Sequence, residues 1–112
     1  MLSVGVDIIE IPRIRESIRK FGWNFLRRVF TQAELDFCLS RREPVPGLAG
    51  RFAAKEAFRK AHGSPLRWKD VEISREAGGP PRILFKGRNH SAAISISHSR
   101  NYAIATVVIE SQ

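Results

Sequence analysis

Residues Leu2 to Ile9 place Val4, Val6 and Ile8 on one face, and this period of two predicts a strand. Asp7 falls on the opposite face, near the C-terminal end of a strand otherwise set to be buried. The period then changes. Pro12 suits the first turn of a helix, and Ile14, Ile18, Phe21 and Phe25 follow at helical spacing, with Gly22 as a break. Thr31-Gln32-Ala33-Glu34 matches a capping box, so a short helix follows through Leu35, Cys38 and Leu39. The segment from about Leu48 to His62 is a third helical stretch, closed by Gly63. Pro44-Val45-Pro46-Gly47, just before it, reads as a proline-rich loop.

Beyond Gly63 the pattern becomes β. Val71 and Ile73 alternate, Gly78-Gly79-Pro80-Pro81 turns the chain, and Ile83-Leu84-Phe85 returns. Ala93 to His98 alternates again, with Ile94, Ile96 and His98 on one side. After a turn at Ser99-Arg100-Asn101, Tyr102 to Ile109 is apolar and β-branched, the composition of a central strand. One strand, three helical segments and four strands predict an α+β fold, with a mostly antiparallel sheet and helices packed on one face. No linker or repeat divides the chain, so residues 1–112 are expected to form a single domain.

Composition narrows the partners more than the fold. Nineteen Lys and Arg against eleven Asp and Glu give a net charge of +8, which favours anionic ligands or an acidic protein. Cys38 is the single cysteine, which excludes an intrachain disulfide and a cysteine-based zinc site. The apolar runs are too short to cross a bilayer, and the N-terminus lacks the basic start and cleavage site of a signal peptide. A cytoplasmic location with no membrane partner is the expectation.

The stretch Gly50 to Ala61 carries the candidate chemistry. Phe52, Glu56 and Lys60, spaced i, i+4, i+8, lie along one helix face. Asp7 and Glu56 are carboxylates of the kind that hold a hard divalent cation against substrate phosphates. Each also has a plain reading: Glu56 as a surface ion pair with Arg51, Arg59 or Lys60, and Asp7 as a cap, although Pro12 is too distant for a direct one. Spacing alone does not bring the two together. His98 ends its strand as an edge residue or a catalyst, His62 reads as structural at a helix C-terminus, and His90 reads as loop. Arg13, Arg15, Arg19 and Lys20, followed by Arg27 and Arg28, form an exposed basic stripe if Ile14 and Ile18 are buried. A basic nucleic-acid-binding module without enzymatic activity is the competing class. The chain has no helix-turn-helix, RNP or zinc-finger pattern to support it, and no P-loop or nucleophile elbow.

These segments together resemble the bacterial holo-acyl-carrier-protein synthases, the small trimeric class of 4′-phosphopantetheinyl transferases. Gly5-Val6-Asp7, with Arg13 six positions after Asp7, is similar to their N-terminal motif, and Phe30-Thr31-Gln32-Ala33-Glu34-Leu35 to their second element. The specific match is Gly50-Arg51-Phe52-Ala53-Ala54-Lys55-Glu56-Ala57-Phe58-Arg59-Lys60-Ala61. Gly79-Pro80-Pro81 and Ile96-Ser97-His98-Ser99 resemble later elements, so the likeness spans the chain.

The resemblance implies transfer of phosphopantetheine from coenzyme A to a serine of apo-acyl carrier protein, releasing adenosine 3′,5′-bisphosphate, with Mg²⁺ as cofactor, in support of fatty acid biosynthesis. It implies Asp7 and Glu56 as metal ligands, and Lys60 on a pyrophosphate oxygen. It further implies Arg51 and His98 at the 3′-phosphate or adenine side, and Gly79 and Pro81 along the adenine wall. Arg13, with Arg19 and Arg27 in the same basic stripe, would dock the acidic carrier. The general base is left between Glu56, His98 and a water near Asp36 or Glu34. A homotrimer with sites between neighbouring subunits, and one half-unit of the transferase architecture per chain, completes the expectation.

Overall fold

The computed structural model describes residues 1–76 and 78–111. Strand β1 (Leu2–Glu10) leads directly into helix α1 (Ile11–Phe21). Gly22, at φ 53°, breaks the helix as expected, and α2 (Trp23–Val29) starts at once. Helix α3 (Gln32–Leu39) opens on the capping box: Thr31 Oγ1 accepts from Glu34 N at 3.3 Å, and Glu34 Oε1 accepts from Thr31 N at 2.8 Å. Helix α4 spans Pro44–His62 and is closed by Gly63 at φ 81°.

Pro44-Val45-Pro46-Gly47 is therefore the first turn of α4 and not a loop. Neither proline needs an N–H there, because the first turn of a helix leaves its N–H groups unpaired.

Five strands follow: β2 (Val71–Arg75), β3 (Pro81–Phe85), β4 (Arg88–His90), β5 (Ala93–His98) and β6 (Tyr102–Glu110). They form two three-stranded antiparallel sheets, ordered β1-β6-β5 and β2-β3-β4. The fold is α+β with antiparallel sheets, as expected, although the strands divide between two sheets. His90 lies on β4, paired with Ile83, and not in a loop. Three polar residues, Arg-Asn-His, carry no alternation by which the strand could be recognised. β6 is the central strand of its sheet.

Helix α4 packs across the first sheet through small side chains. Ala53, Ala54, Ala57 and Ala61 meet Ala105 and Val107, all buried. At one end Gly50 lies against the Ile96 side chain on β5; at the other Gly5 on β1 lies against the backbone of Ala57 and Ala61. Because Gly5, Asp7 and Ile9 turn toward this helix, the apolar side chains of β1 point outward. Val4 is 62% exposed, Val6 50% and Ile8 60%. The expectation that the apolar face of β1 is the buried one is reversed. A second cluster, built on Ile11, Ile14, Val29, Phe30, Leu35 and Leu48, joins the helices above the sheet. Among the described residues no helix is long and apolar enough to cross a membrane.

Candidate active site

Asp7 projects from β1 toward the last turns of α4. Lys60 Nζ donates to the Val6 carbonyl at 2.9 Å and lies 3.2 Å from Asp7 Oδ1. The absence of a side chain at Gly5 makes this approach possible, since a Cβ there would collide with the Ala57 carbonyl. Glu56, one turn before Lys60, is gripped by Arg59 through two bonds, 2.7 Å to Oε2 and 3.2 Å to Oε1. The Asp7 and Glu56 side chains are each mostly sheltered, at 16% and 18% exposure, whereas those of Lys60 and Arg59 are half exposed. Asp7 on β1 and Glu56 on α4 are thus two sheltered carboxylates, each paired with one half-exposed cation.

Glu56 also lines a cavity of about 290 Å³ with Phe52, Leu66, Arg67, Trp68 and Val71. A second cavity of about 480 Å³ lies between α3, the first half of α4, and strands β2, β3 and β5. Arg51, Pro81 and His98 meet there with Arg41 and Arg75, and Glu43 is the one carboxylate on its wall. Gly78 lines it, whereas Gly79, expected there, does not; the Gly79 carbonyl accepts from Arg75 Nε at 3.0 Å. Arg41 and Arg75 escaped the sequence reading, because an isolated arginine carries no periodicity to mark the wall that it faces.

Arg51 is 6% exposed, yet no carboxylate pairs with it among the described residues. Among the described residues its one hydrogen bond is a long one, 3.3 Å to the Gly47 carbonyl, and its Nε has no partner. The guanidinium stacks over Phe37 at 4.7 Å, beside Arg41 at 4.5 Å from the same ring. A buried cation with unspent donors is chemically suited to an anionic group. Cys38 lines the same cavity, but burial pushes its thiol pKa up, which leaves it an inert wall atom.

Asp7 and Lys60 therefore meet directly, Glu56 lies one turn before Lys60 and is paired with Arg59, and Arg51, Pro81 and His98 share a separate cavity. Arg13, Arg19 and Arg27 all lie exposed on α1 and α2. Arg19 is held by Glu16 at 2.6 Å, and Arg27 lies over the Trp23 ring at 5.1 Å. Of the candidate proton acceptors, Glu34 is withdrawn. It is 1% exposed; Oε1 takes Lys55 Nζ and Thr31 N, and Oε2 takes Ile73 N. Asp36 is exposed and accepts from Gln32 at 2.8 Å.

The buried partner of Glu34 is the principal residue that the sequence reading passed over. Lys55 lies between Glu56 and the alanines of α4, with a side chain only 1% exposed. A signal was present: Leu48, Arg51, Lys55, Phe58 and His62, spaced by three and four, fall on one stripe of the helix. A lysine between Leu48 and Phe58 on such a stripe requires a buried partner.

The description "4′-phosphopantetheinyl transferase superfamily" belongs to the family whose model matches residues 3–107. The holo-[acyl-carrier-protein] synthase of Moorella thermoacetica is 45% identical, covering 99% of this chain and 95% of its own. That of Koribacter versatilis is 42% identical, with 98% of each covered. The fold superposes with a TM-score of 0.85 on the Bacillus anthracis holo-(acyl-carrier-protein) synthase solved in complex with CoA (3′,5′-ADP), 34% identical over 98% of this chain and 96% of that one. A match over nearly the whole length, in sequence and in fold, means that this chain belongs to the holo-[acyl-carrier-protein] synthases, enzymes of the 4′-phosphopantetheinyl transferase superfamily.

Proposed function

We propose that this enzyme transfers the phosphopantetheine arm of coenzyme A to a serine of an apo-acyl carrier protein, releasing adenosine 3′,5′-bisphosphate, with Asp7 and Glu56 as the ligands of Mg²⁺. The observation that carries this reading is the seating of Asp7 against the turn of α4 that bears Glu56 and Lys60. The names of the relatives and the coenzyme in the Bacillus anthracis structure support the substrate pair.

The donors fit the metal. Mg²⁺ is commonly held by one or two carboxylates, with substrate phosphates and water completing its shell, and two sheltered carboxylates offer that arrangement. Bound there, the ion supplies positive charge to the pyrophosphate oxygens as the carrier serine attacks. The half-exposed Lys60 ammonium swings from Asp7 to a pyrophosphate oxygen. Arg51, with its unpaired Nε, takes the 3′-phosphate; Pro81, with Gly79 in the turn before it, serves the adenine side, and His98 lines the same cavity. The proton from the serine passes to Glu56, His98 or a water, Glu34 being fully committed.

The site lies between copies of the chain in a homotrimer. The exposed face of β1 and β6, with Val4, Val6, Ile8 and Ile104, is an apolar surface of the kind that copies bury against one another. The reaction belongs to the cytoplasm, and its natural acceptor is the carrier of fatty acid synthesis.

The test is direct. The protein is incubated with coenzyme A, Mg²⁺ and an apo-carrier, and the intact carrier is weighed. Addition of one phosphopantetheine is expected, and Glu56→Ala abolishes it; an unchanged carrier mass with the native enzyme overturns the reading. For the shared site, inactive Glu56→Ala and Arg51→Ala chains are co-folded. Mixed trimers recover activity if each site draws these two residues from different copies, and stay inactive if both come from one.

A further inference from the structure

We propose that Lys55, clamped by Glu34, is a positioning residue that sets the metal-binding geometry of Glu56; this rests on the reading of Glu56 as a metal ligand. The Lys55 ammonium and the Glu34 carboxylate are 2.7 Å apart, with side chains 1% and 0% exposed. Lys55 Nζ also donates to the carbonyls of Val29 at 2.8 Å, Trp68 at 3.1 Å and Val71 at 2.7 Å. Glu34 in turn accepts from Thr31 N and Ile73 N, each at 2.8 Å. One buried ion pair thus ties a single turn of α4 to the end of α2, the start of α3, the 3₁₀ turn Trp68–Asp70 and strand β2.

The position of this clamp is informative. Burying two charges is costly, and apolar residues of similar volume often hold a core as well or better, so stability alone is a weak reason for such a pair. Burial pushes the Lys55 pKa down, and the Glu34 carboxylate beside it opposes that shift. Glu56 shares a peptide bond with Lys55, and the Val71 and Trp68 carbonyls held by Lys55 belong to residues lining the cavity that Glu56 faces. Fixing Lys55 at four acceptors fixes the rotation of α4 about its axis, and with it the direction in which Glu56 leaves the helix. A metal ligand pair tolerates little angular error, and groups behind the ligands typically account for ~10- to 100-fold in metal affinity.

The variants are Lys55→Met, Glu34→Gln and the double variant Lys55→Met/Glu34→Gln, which leaves no unpaired buried charge. Binding of Mn²⁺ in the presence of coenzyme A is followed by electron paramagnetic resonance at a temperature where circular dichroism shows the chain folded. Mn²⁺ affinity is expected to fall at least ~10-fold, with kcat falling and the KM for the carrier little changed. A folded variant with native Mn²⁺ affinity and native kcat, differing only in melting temperature, overturns the proposal. Glu56→Gln is the control. If it too leaves Mn²⁺ affinity unaltered, the metal reading of Glu56 fails; if it alone weakens binding, only the positioning role fails. A measurement on the native chain does not depend on any variant folding. Binding of Mn²⁺ and coenzyme A should slow hydrogen exchange at the Thr31 and Ile73 amides, and unchanged exchange at both overturns the proposal.

Discussion

Gly5 on β1 lies against the backbone of Ala57 on α4, so closely that a Cβ at position 5 would overlap the Ala57 carbonyl oxygen and crowd Ala61 N. Two residues further along β1, Asp7 reaches Lys60; one residue before Ala57 is Glu56. The close approach of strand and helix is what lets Asp7 meet Lys60, one turn beyond Glu56. Gly5→Ala should therefore cost stability and activity at once. Overpacking against rigid backbone costs about 1–3 kcal/mol, read from a urea midpoint. The remaining folded enzyme should also lose turnover as Asp7 moves away from Lys60. Full turnover per folded molecule would show that the site does not depend on this contact.

Arg51 is buried with no ion-pair partner among the described residues. Arg51→Met removes a buried charge with an unpaired Nε, so the melting temperature of the ligand-free chain should hold or rise. The KM for coenzyme A should rise roughly 10- to 100-fold, the equivalent of a charge-assisted hydrogen bond of about 1.5–3 kcal/mol. Steady-state kinetics at varied coenzyme, set beside a thermal melt, separate the two effects. A destabilised variant with native KM would make Arg51 a structural residue.

Arginines of the basic stripe should contribute unequally to carrier docking. Arg13 has no ion pair among the described residues, whereas Arg19 is held by Glu16 at 2.6 Å. Arg13→Ala should raise the KM for the carrier by up to about fivefold, the size of an exposed charge interaction, and Arg19→Ala by less. The difference should shrink as salt is added, because exposed charges are screened. Equal effects of the two substitutions would argue against docking through free charge.

His90 ties stability to pH. Burial holds its pKa below the ordinary value of 6.5, and the charge of nearby His62 acts in the same direction. Its ring sits edge-on to Phe58 at 5.1 Å, and its Nδ1 accepts from Ala92 N at 3.0 Å. With the folded pKa depressed, its stabilising contribution is fully present above the unfolded value of 6.5 and is lost as pH falls through the lower folded value. The urea midpoint should therefore drop as pH falls below about 6.5. His90→Asn, which keeps an acceptor for Ala92 N, should flatten that part of the curve; an identical slope would exclude His90 as its source.

Features legible in the chain alone are those decided within a few residues. The Thr31–Glu34 capping box, the break at Gly22, the close at Gly63 and the apolar central strand β6 depend on backbone dihedrals and on partners one turn away. The candidate chemistry was legible too, because Glu56 and Lys60 share a helix face by spacing. Long-range packing decided the rest. Alternation on β1 marks two faces but does not say which one meets α4; the small residues Gly5, Ala57 and Ala61 settle that by permitting close approach, and the valines are left outward. Lys55 and Lys60 look alike in sequence, yet one is buried against Glu34 from twenty-one positions earlier and the other is half exposed beside Asp7. The sequence by itself determined the residue types available to bind a metal and a phosphate. Only the tertiary structure decided which lysine is buried and which carboxylate each lysine meets, because burial and the partner that offsets its cost come from distant segments of the chain.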